Sequence, residues 1–257
     1  MERSERGSIQ AGSSPSPVFL SIVIPAYNEA HRLPVTLRKI LTFLDSQPYT
    51  SEVVVVENGS QDETYQIAME HANRHTRVHV HQNNKRGKGL AVQKGMLESR
   101  GEFRFMCDAD LSMPIDELNR FLPPKLTDFD IAIASREAPG AIRYNEPRYR
   151  HFVGRAFNIM IRQLALPDLQ DTQCGFKCFR GEIVPDLFRR QTIPGWSFDV
   201  EILYIARLRG YRILEIPIPW YYNADSKVRV FSDSIQMGSD LLAIRRKAAQ
   251  GAYDGQV

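Results

Sequence analysis

The sequence predicts an α/β domain with a mostly parallel central sheet flanked by helices, and three observations predict it. The runs Leu20-Ser21-Ile22-Val23-Ile24 and Val53-Val54-Val55-Val56 are apolar or β-branched without polar alternation, as strands covered on both faces require. Stretches of helical periodicity separate such runs, which is the pattern of successive right-handed βαβ units. The 257 residues suffice for one large core and are too few for two roomy ones.

The elements follow in order. The first run stops at Pro25, and a helix is predicted over 29–44. The valine run ends at Asn58-Gly59-Ser60, where Ser60 and Glu63 resemble a capping box for the next helix. A strand is predicted at 78–80, a helix at 88–99, a strand at 103–107, a helix after Pro114 and a strand at 131–134. The second half is less regular: helix 147–166, strand 175–179, helix 198–209, strand 213–216 and helix 234–247. Neither a repeat nor a linker interrupts 18–249, so that span reads as one domain, with tails at 1–17 and 250–257.

Composition narrows the class. Hydrophobic residues are 43% and charged residues 25%, ordinary for a globular protein. Lys plus Arg exceed Asp plus Glu by only 33 to 30, which gives no reason to expect a nucleic-acid partner. Three cysteines form no even framework and point to a reducing, cytoplasmic setting. Cys174 and Cys178 lack the second pair that a zinc site needs, and His71 and His75 read as a solvated helix face. The first 17 residues are rich in Ser, Pro and charge and lack the apolar core of a signal peptide. Nowhere does an apolar run approach the roughly 20 residues of a membrane-spanning helix. The expected location is peripheral, at the cytoplasmic face of a membrane.

Ligands of open α/β sheets bind beyond the carboxyl ends of the strands. That rule gathers Tyr27-Asn28-Glu29, Glu57-Asn58-Gly59-Ser60 and Asp108-Ala109-Asp110, which follow the first, second and fourth strands. Two carboxylates two residues apart at a strand end can share one Mg²⁺ or Mn²⁺ and the diphosphate it binds. The alternative is that they cap the helix after Pro114. Asn84-Lys85-Arg86-Gly87-Lys88-Gly89 opens a helix with two glycines and a lysine, a setting that favours anions. Read alone, it is equally a solvated basic turn.

These pieces, in this order and spacing, resemble the family 2 inverting glycosyltransferases of GT-A (Rossmann-like) fold. The resemblance rests on Ile24-Pro25-Ala26-Tyr27-Asn28-Glu29, the 57–60 loop with Asp62, Gly87-Lys88-Gly89, and Asp108-Ala109-Asp110. Asp171 to Lys177, Phe198-Asp199-Val200-Glu201 and Glu215-Ile216-Pro217 are similar to the polyprenyl-phosphate (dolichyl-phosphate) hexose synthases. Ser226-Lys227 and Ser232-Asp233 point within them to the glucose type. The resemblance implies a nucleotide-sugar donor, UDP-glucose first, a divalent metal, and a polyprenyl phosphate acceptor. It implies Pro25, Tyr27, Glu29, Glu57 and Asn58 around the nucleoside, with Lys88 and Asp108 along the ribose and diphosphate. Asp110, with Asp108, would ligate the metal, and Arg136 would bind a phosphate. Asp199 would serve catalysis by orienting the sugar, and Gln173, Lys177, Glu201 and Lys227 would line the sugar and acceptor pocket. One departure is that Glu57-Asn58 stands where the family usually has two aspartates.

A phosphate acceptor is already ionised near neutral pH, so positioning outweighs deprotonation; a hydroxyl acceptor would instead need a base. Residues 147–166 intersperse Arg148, Arg150, Arg155 and Arg162 with apolar side chains, which suits a helix lying in a headgroup layer. The alternative is a core-facing amphipathic helix with solvated arginines. Transfer to a glycan or small-molecule hydroxyl is the rival function. A binding module without turnover and a nucleotidyltransferase account less well for the Asp108/Asp110 pair and the first loop.

Overall fold

A computed structural model describes residues 17–223 and 230–255. In chain order the elements are β1 (Leu20–Ala26), α1 (Leu33–Asp45), β2 (Ser51–Glu57), α2 (Thr64–Arg74), β3 (Val78–Gln82), α3 (Lys88–Glu98), β4 (Phe103–Cys107) and β5 (Ile131–Ser135). There follow β6 (Ile142–Tyr144), α4 (Arg148–Leu164), β7 (Phe176–Arg180), α5 (Val184–Phe188), α6 (Phe198–Leu208), β8 (Ile213–Pro217), β9 (Pro219–Tyr221) and α7 (Val230–Ala249).

Seven strands form the central sheet in the order β3-β2-β1-β4-β7-β5-β8, and β6 pairs with β9 in a separate ribbon. The β1, β2, β3 and β4 pairings are parallel, as is β5 with β8. Only β7 runs antiparallel, to both β4 and β5. Its burial, continuous over Phe176, Lys177, Cys178 and Phe179, carries no sign of direction.

Alternation along the strands explains why they are apolar throughout. Ile22, Ile24, Val53, Val55 and Phe105 pack on one face with Leu37, Ile40 and Leu44 of α1. Val23, Val54, Val56 and Met106 pack on the other with Val92, Met96, Leu203 and Ile244 from α3, α6 and α7. A sheet buried on both faces needs hydrophobic residues at both parities.

Three local expectations need correction. The first helix begins at Leu33 rather than 29, with Pro in its first turn, where proline's fixed φ and missing N–H are tolerated. Residues 115–121 wind as a 3-10 helix instead of an α-helix. The capping box does not form: Ser60 Oγ accepts the Asn28 amide instead, and Asp62 accepts the Thr64 amide at 3.0 Å. Beyond α7, Tyr253 is buried and donates to Glu201 at 2.8 Å.

Candidate active site

The carboxyl ends of β1 and β2 are in register, Ala26 opposite Glu57, so the loops that leave them must touch. Asn28 adopts φ +50°, which asparagine tolerates better than most residues. It is held by Ser60 Oγ on its amide (3.0 Å), while its Oδ1 accepts the Gln61 amide (2.8 Å). Thr64 and Asp62 accept the Glu29 and Ala30 amides. Despite partial burial, hydrogen bonds from Thr64 and Ala30 hold the Asp62 carboxyl below its usual range. Glu29 grips Arg32 through both carboxylate oxygens at 2.7 and 2.8 Å. Glu57 accepts the Ser60 amide, and the Arg86 guanidinium lies 4.2 Å over the Tyr27 ring. Asn58 reaches further: its Oδ1 accepts the Gly87 amide at 3.2 Å, tying the second loop to the glycine-rich turn. Pro25 stands at the end of β1, beside Tyr27. The proposed nucleoside group is thus one hydrogen-bonded edge.

The fourth strand places Asp108 and Asp110 just beyond its end. Thr36 of α1 donates to the Ala109 carbonyl at 2.6 Å and pins the turn between them. Gly175 is there for close approach: a methyl group on it would strike the Asp108 carboxylate. Lys88 Nζ sits 2.7 and 3.0 Å from the two Asp108 oxygens. Burial would strip its proton, but the charges of Asp108 and Asp199 outweigh that and raise its pKa. The Asp110 carboxyl is pushed up by burial and then by the charge of Asp108, a repulsion that a bound cation would relieve. Among the described residues, no three His, Cys, Asp or Glu side chains are arranged to hold a metal by themselves. The donor set nevertheless fits a hard divalent ion, which commonly takes one or two carboxylates and completes its shell with substrate phosphate and water. The cysteines do not compete, since all three are free and buried, and burial pushes the Cys174 thiol up to about 12.

Asp108, Asp110 and Lys88 form one wall of a cavity of about 250 Å³, whose other walls carry Asp199, Gln173, Arg136 and Arg143. Arg136 is held by Asp171 through Nε (2.6 Å) and a terminal nitrogen (2.8 Å). Asp171 is fully buried; burial alone would raise its carboxyl, but the Arg136 charge and hydrogen bonds bring it down to about 2. Glu215 fixes that turn by accepting the Gln170 and Asp171 amides at 2.8 and 2.9 Å, which gives the Glu215-Ile216-Pro217 motif its place. Arg143 lies between Glu137 and Glu146 at 2.5 and 2.8 Å, and Trp220 presents its ring to both arginines.

Not every candidate meets the cavity. Lys177 is buried behind it, donating to Asp199 Oδ1 and the Cys174 carbonyl, both at 2.5 Å. Burial raises the Asp199 carboxyl, and Lys177 opposes that shift. Glu201 is fully buried and points elsewhere, taking the amides of Thr192 and Ile193. Lys227, with Ser226, lies outside the described residues, and the structure describes only backbone at Ser232 and Asp233. Sequence reasoning missed Arg143, Glu146, Trp196 and Trp220. The only trace of Arg143 was the alternation Ile142-Arg143-Tyr144, too short to stand out. In α4 the described apolar side chains favour the core-facing alternative: Ile161 is buried, Phe157, Met160 and Leu164 pack against the core, and Ile159 is exposed.

Residues 21–188 match the Glycosyl transferase family 2 profile. A dolichyl-phosphate beta-glucosyltransferase of Trichomonas vaginalis is 36% identical over 244 residues, covering 90% of this chain and 72% of that protein. The Homo sapiens dolichyl-phosphate beta-glucosyltransferase is 34% identical, covering 91% of this chain and 77% of its own. Among solved structures, glucosyl-3-phosphoglycerate synthase from Mycobacterium tuberculosis, in complex with Mn²⁺ and UDP-glucose, superposes with a TM-score of 0.61 at 16% identity. That match covers 89% of this chain and 78% of the other. Mannosyl-3-phosphoglycerate synthase from Rubrobacter xylanophilus gives 0.66 at 15% identity, covering 93% and 77%. At such identities these two speak for the fold alone. The chain belongs to glycosyl transferase family 2 and has the GT-A architecture of a hexosyltransferase.

Proposed function

We propose that this chain transfers glucose from UDP-glucose to a polyprenyl (dolichyl) phosphate, with inversion at the anomeric carbon and with a divalent cation. The observation that carries the reading is a single cavity lined both by the carboxylates Asp108 and Asp110 and by the guanidiniums of Arg136 and Arg143. The carboxylates suit a metal–diphosphate, the guanidiniums an acceptor phosphate. The relatives named dolichyl-phosphate beta-glucosyltransferase support the sugar and the acceptor, and the Mn²⁺ and UDP-glucose of the Mycobacterium tuberculosis complex support the donor.

In this reading the nucleoside lies along Pro25, Tyr27, Glu29, Glu57 and Asn58. Asp108 and Asp110 hold the cation, which supplies charge neutralisation to the leaving diphosphate. Lys88 adds a second positive charge on the same side. Asp199, with one oxygen engaged by Lys177, orients the sugar hydroxyls. Arg136 and Arg143, both held by carboxylates, align the acceptor phosphate for attack from the face opposite the diphosphate. Gln173 completes that wall.

No described helix is long and apolar enough to cross a membrane. We place the enzyme peripherally on a membrane surface, at its cytoplasmic face. Two observations support this: the three free cysteines, and the exposed Ile142, Tyr144 and Tyr221 on the outer side of the β6–β9 ribbon, whose inner side carries Arg143 and Trp220.

The test incubates the protein with UDP- and GDP-sugars, Mn²⁺ or Mg²⁺, and a short polyprenyl phosphate, reading lipid-linked sugar by mass spectrometry. Product from UDP-glucose that requires metal and disappears in Asp110→Ala is the expected result. Donor binding without lipid product would turn the assignment to hydroxyl acceptors.

A further inference from the structure

Glu201 sits two residues after Asp199 on the first turn of α6. At about 100° per residue, two positions separate side chains by about 200°, so Asp199 faces the cavity and Glu201 faces away. Yet Glu201 is fully buried and saturated with donors. Its Oε2 accepts the Thr192 and Ile193 amides at 2.9 and 2.8 Å. Its Oε1 accepts the Thr192 hydroxyl and, at 2.8 Å, the Tyr253 hydroxyl. Tyr253 comes from beyond α7 and is 1% exposed, with its carbonyl bound by Arg190 at 3.0 Å. A carboxylate this well satisfied holds its segment in one conformation.

That segment, 191–197, leans on the glycine-rich turn through backbone contacts and the buried side chain of Gln191. The Gly89 amide donates to the Pro194 carbonyl at 2.9 Å, and Gln191 Nε2 donates to the Gly89 carbonyl at 2.9 Å. A methyl group at Gly87 would strike the Pro194 carbonyl, and one at Gly89 would lie 2.6 Å from the Ile193 carbonyl. Lys88 stands between those glycines, and its ammonium lies 5.2 Å from the centre of the Trp196 ring, itself on the segment. Both side chains line the cavity.

We propose that Glu201 and Tyr253 form a latch that positions the 191–197 segment, and through it Lys88 and Trp196, against the donor diphosphate. Both are positioning residues that touch no substrate, and the diphosphate part of the claim rests on the reading of the donor given above. Tyr253, beyond α7, thereby supports the proposed donor site. Tyr253→Phe keeps the ring and removes the one hydroxyl; Glu201→Gln keeps the shape and removes the charge.

Two readouts need no ligand. Hydrogen exchange at the Thr192, Ile193 and Gly89 amides is expected to speed up in Tyr253→Phe. Trp196 emission, read in a Trp220→Phe background so that one of the chain's two tryptophans remains, is expected to shift. The third readout is UDP with Mn²⁺: loss of a hydrogen bond to a charged group predicts about a tenfold weaker dissociation constant. The KM for the lipid acceptor stays unchanged. If Glu201→Gln does not fold, Tyr253→Phe alone decides. Wild-type exchange and emission in Tyr253→Phe would overturn the latch, and faster exchange with wild-type emission and UDP affinity would overturn its link to Lys88 and Trp196. If wild-type protein binds no UDP while exchange and emission respond, the latch stands and the donor assignment falls.

Discussion

The two sides of the cavity are built by different means. On the side proposed for the donor, parallel strands β1 and β2 end in register, β4 runs parallel beside β1, and three short loops bring Tyr27, Asn58 and Asp108 to one edge. Their contacts are mostly to backbone amides a few residues away or on the adjacent loop. On the side proposed for the acceptor, an antiparallel strand, a two-stranded ribbon and a helix meet, and the guanidiniums are fixed by ion pairs: Arg136 with Asp171, 35 residues away, and Arg143 with Glu137 and Glu146 nearby in sequence. The first side therefore rests mainly on hydrogen bonds to backbone amides, whereas the second rests on a few side-chain charges that must find each other in the folded state.

The largest expected effect follows from that difference. Asp171→Ala leaves a guanidinium without its buried partner and is predicted to cost about 3–5 kcal/mol of stability in urea denaturation. The linkage has a definite sign. The Asp171 carboxyl is held at about 2 in the folded protein against 3.8 ordinarily. Its contribution is therefore present above about pH 4 and is lost as pH falls towards 2. The stability gap between wild type and Asp171→Asn is predicted to narrow by about 2 kcal/mol across that window. A gap independent of pH would mean that Arg136 does not depend on the charge of Asp171.

On the donor side the corresponding change spares stability and removes chemistry. Asp110→Ala relieves a carboxyl strained by burial and by Asp108, so the fold is predicted to be as stable as wild type or slightly more so. Turnover is predicted to fall by about 10²–10³, the range for losing one preorganised charge-stabilising group. Steady-state rates across a Mn²⁺ titration, beside a melting curve, check both halves. A stability loss as large as that of Asp171→Ala would erase the contrast between the two sides.

What the sequence disclosed follows the same division. The valine run and the loops after β1, β2 and β4 were legible because each signal lies within a few consecutive residues. Asp108-Ala109-Asp110 is ambiguous alone and gained its meaning from following an apolar strand in line with the loops after β1 and β2. The direction of β7 was not legible, since the burial of Phe176 to Phe179 is the same whichever way the strand runs. Nor was Glu201: its motif placed it with Asp199, but helical geometry turns it to the other side, towards a tyrosine 52 residues on. Arg143 and Trp220 owe their positions to β6 and β9, each only three residues long. Strands that short depend on tertiary pairing, and no local propensity announces them.

Gly175→Ala joins the two sides, because the glycine stands just before β7 and the carboxylate it cradles just after β4. The added methyl group must displace Asp108, an overpacking cost of about 1–3 kcal/mol. The predicted outcome is about a tenfold rise in the Mn²⁺ concentration giving half-maximal rate, with a smaller change in kcat. An unchanged metal requirement would mean that Asp108 is free to move aside and that its position does not govern the cation.

The smallest expected effect is the most discriminating. Asp199 is buried and shares Lys177, and burial raises its pKa. If the acceptor is a phosphate, no proton need be removed, and Asp199→Asn retains the hydrogen-bonding shape that orients the sugar. The rate is then predicted to fall by less than about tenfold, because the general-base contribution of about 10²–10⁴ was never in use. The pH–rate curve is predicted to keep its acid limb in the variant. If the acceptor is a hydroxyl, Asp199 is its base, the limb reports the raised carboxyl, and Asp199→Asn removes both the limb and most of the rate. Measuring the two profiles side by side therefore tests whether Arg136 and Arg143 serve an anion that arrives already charged.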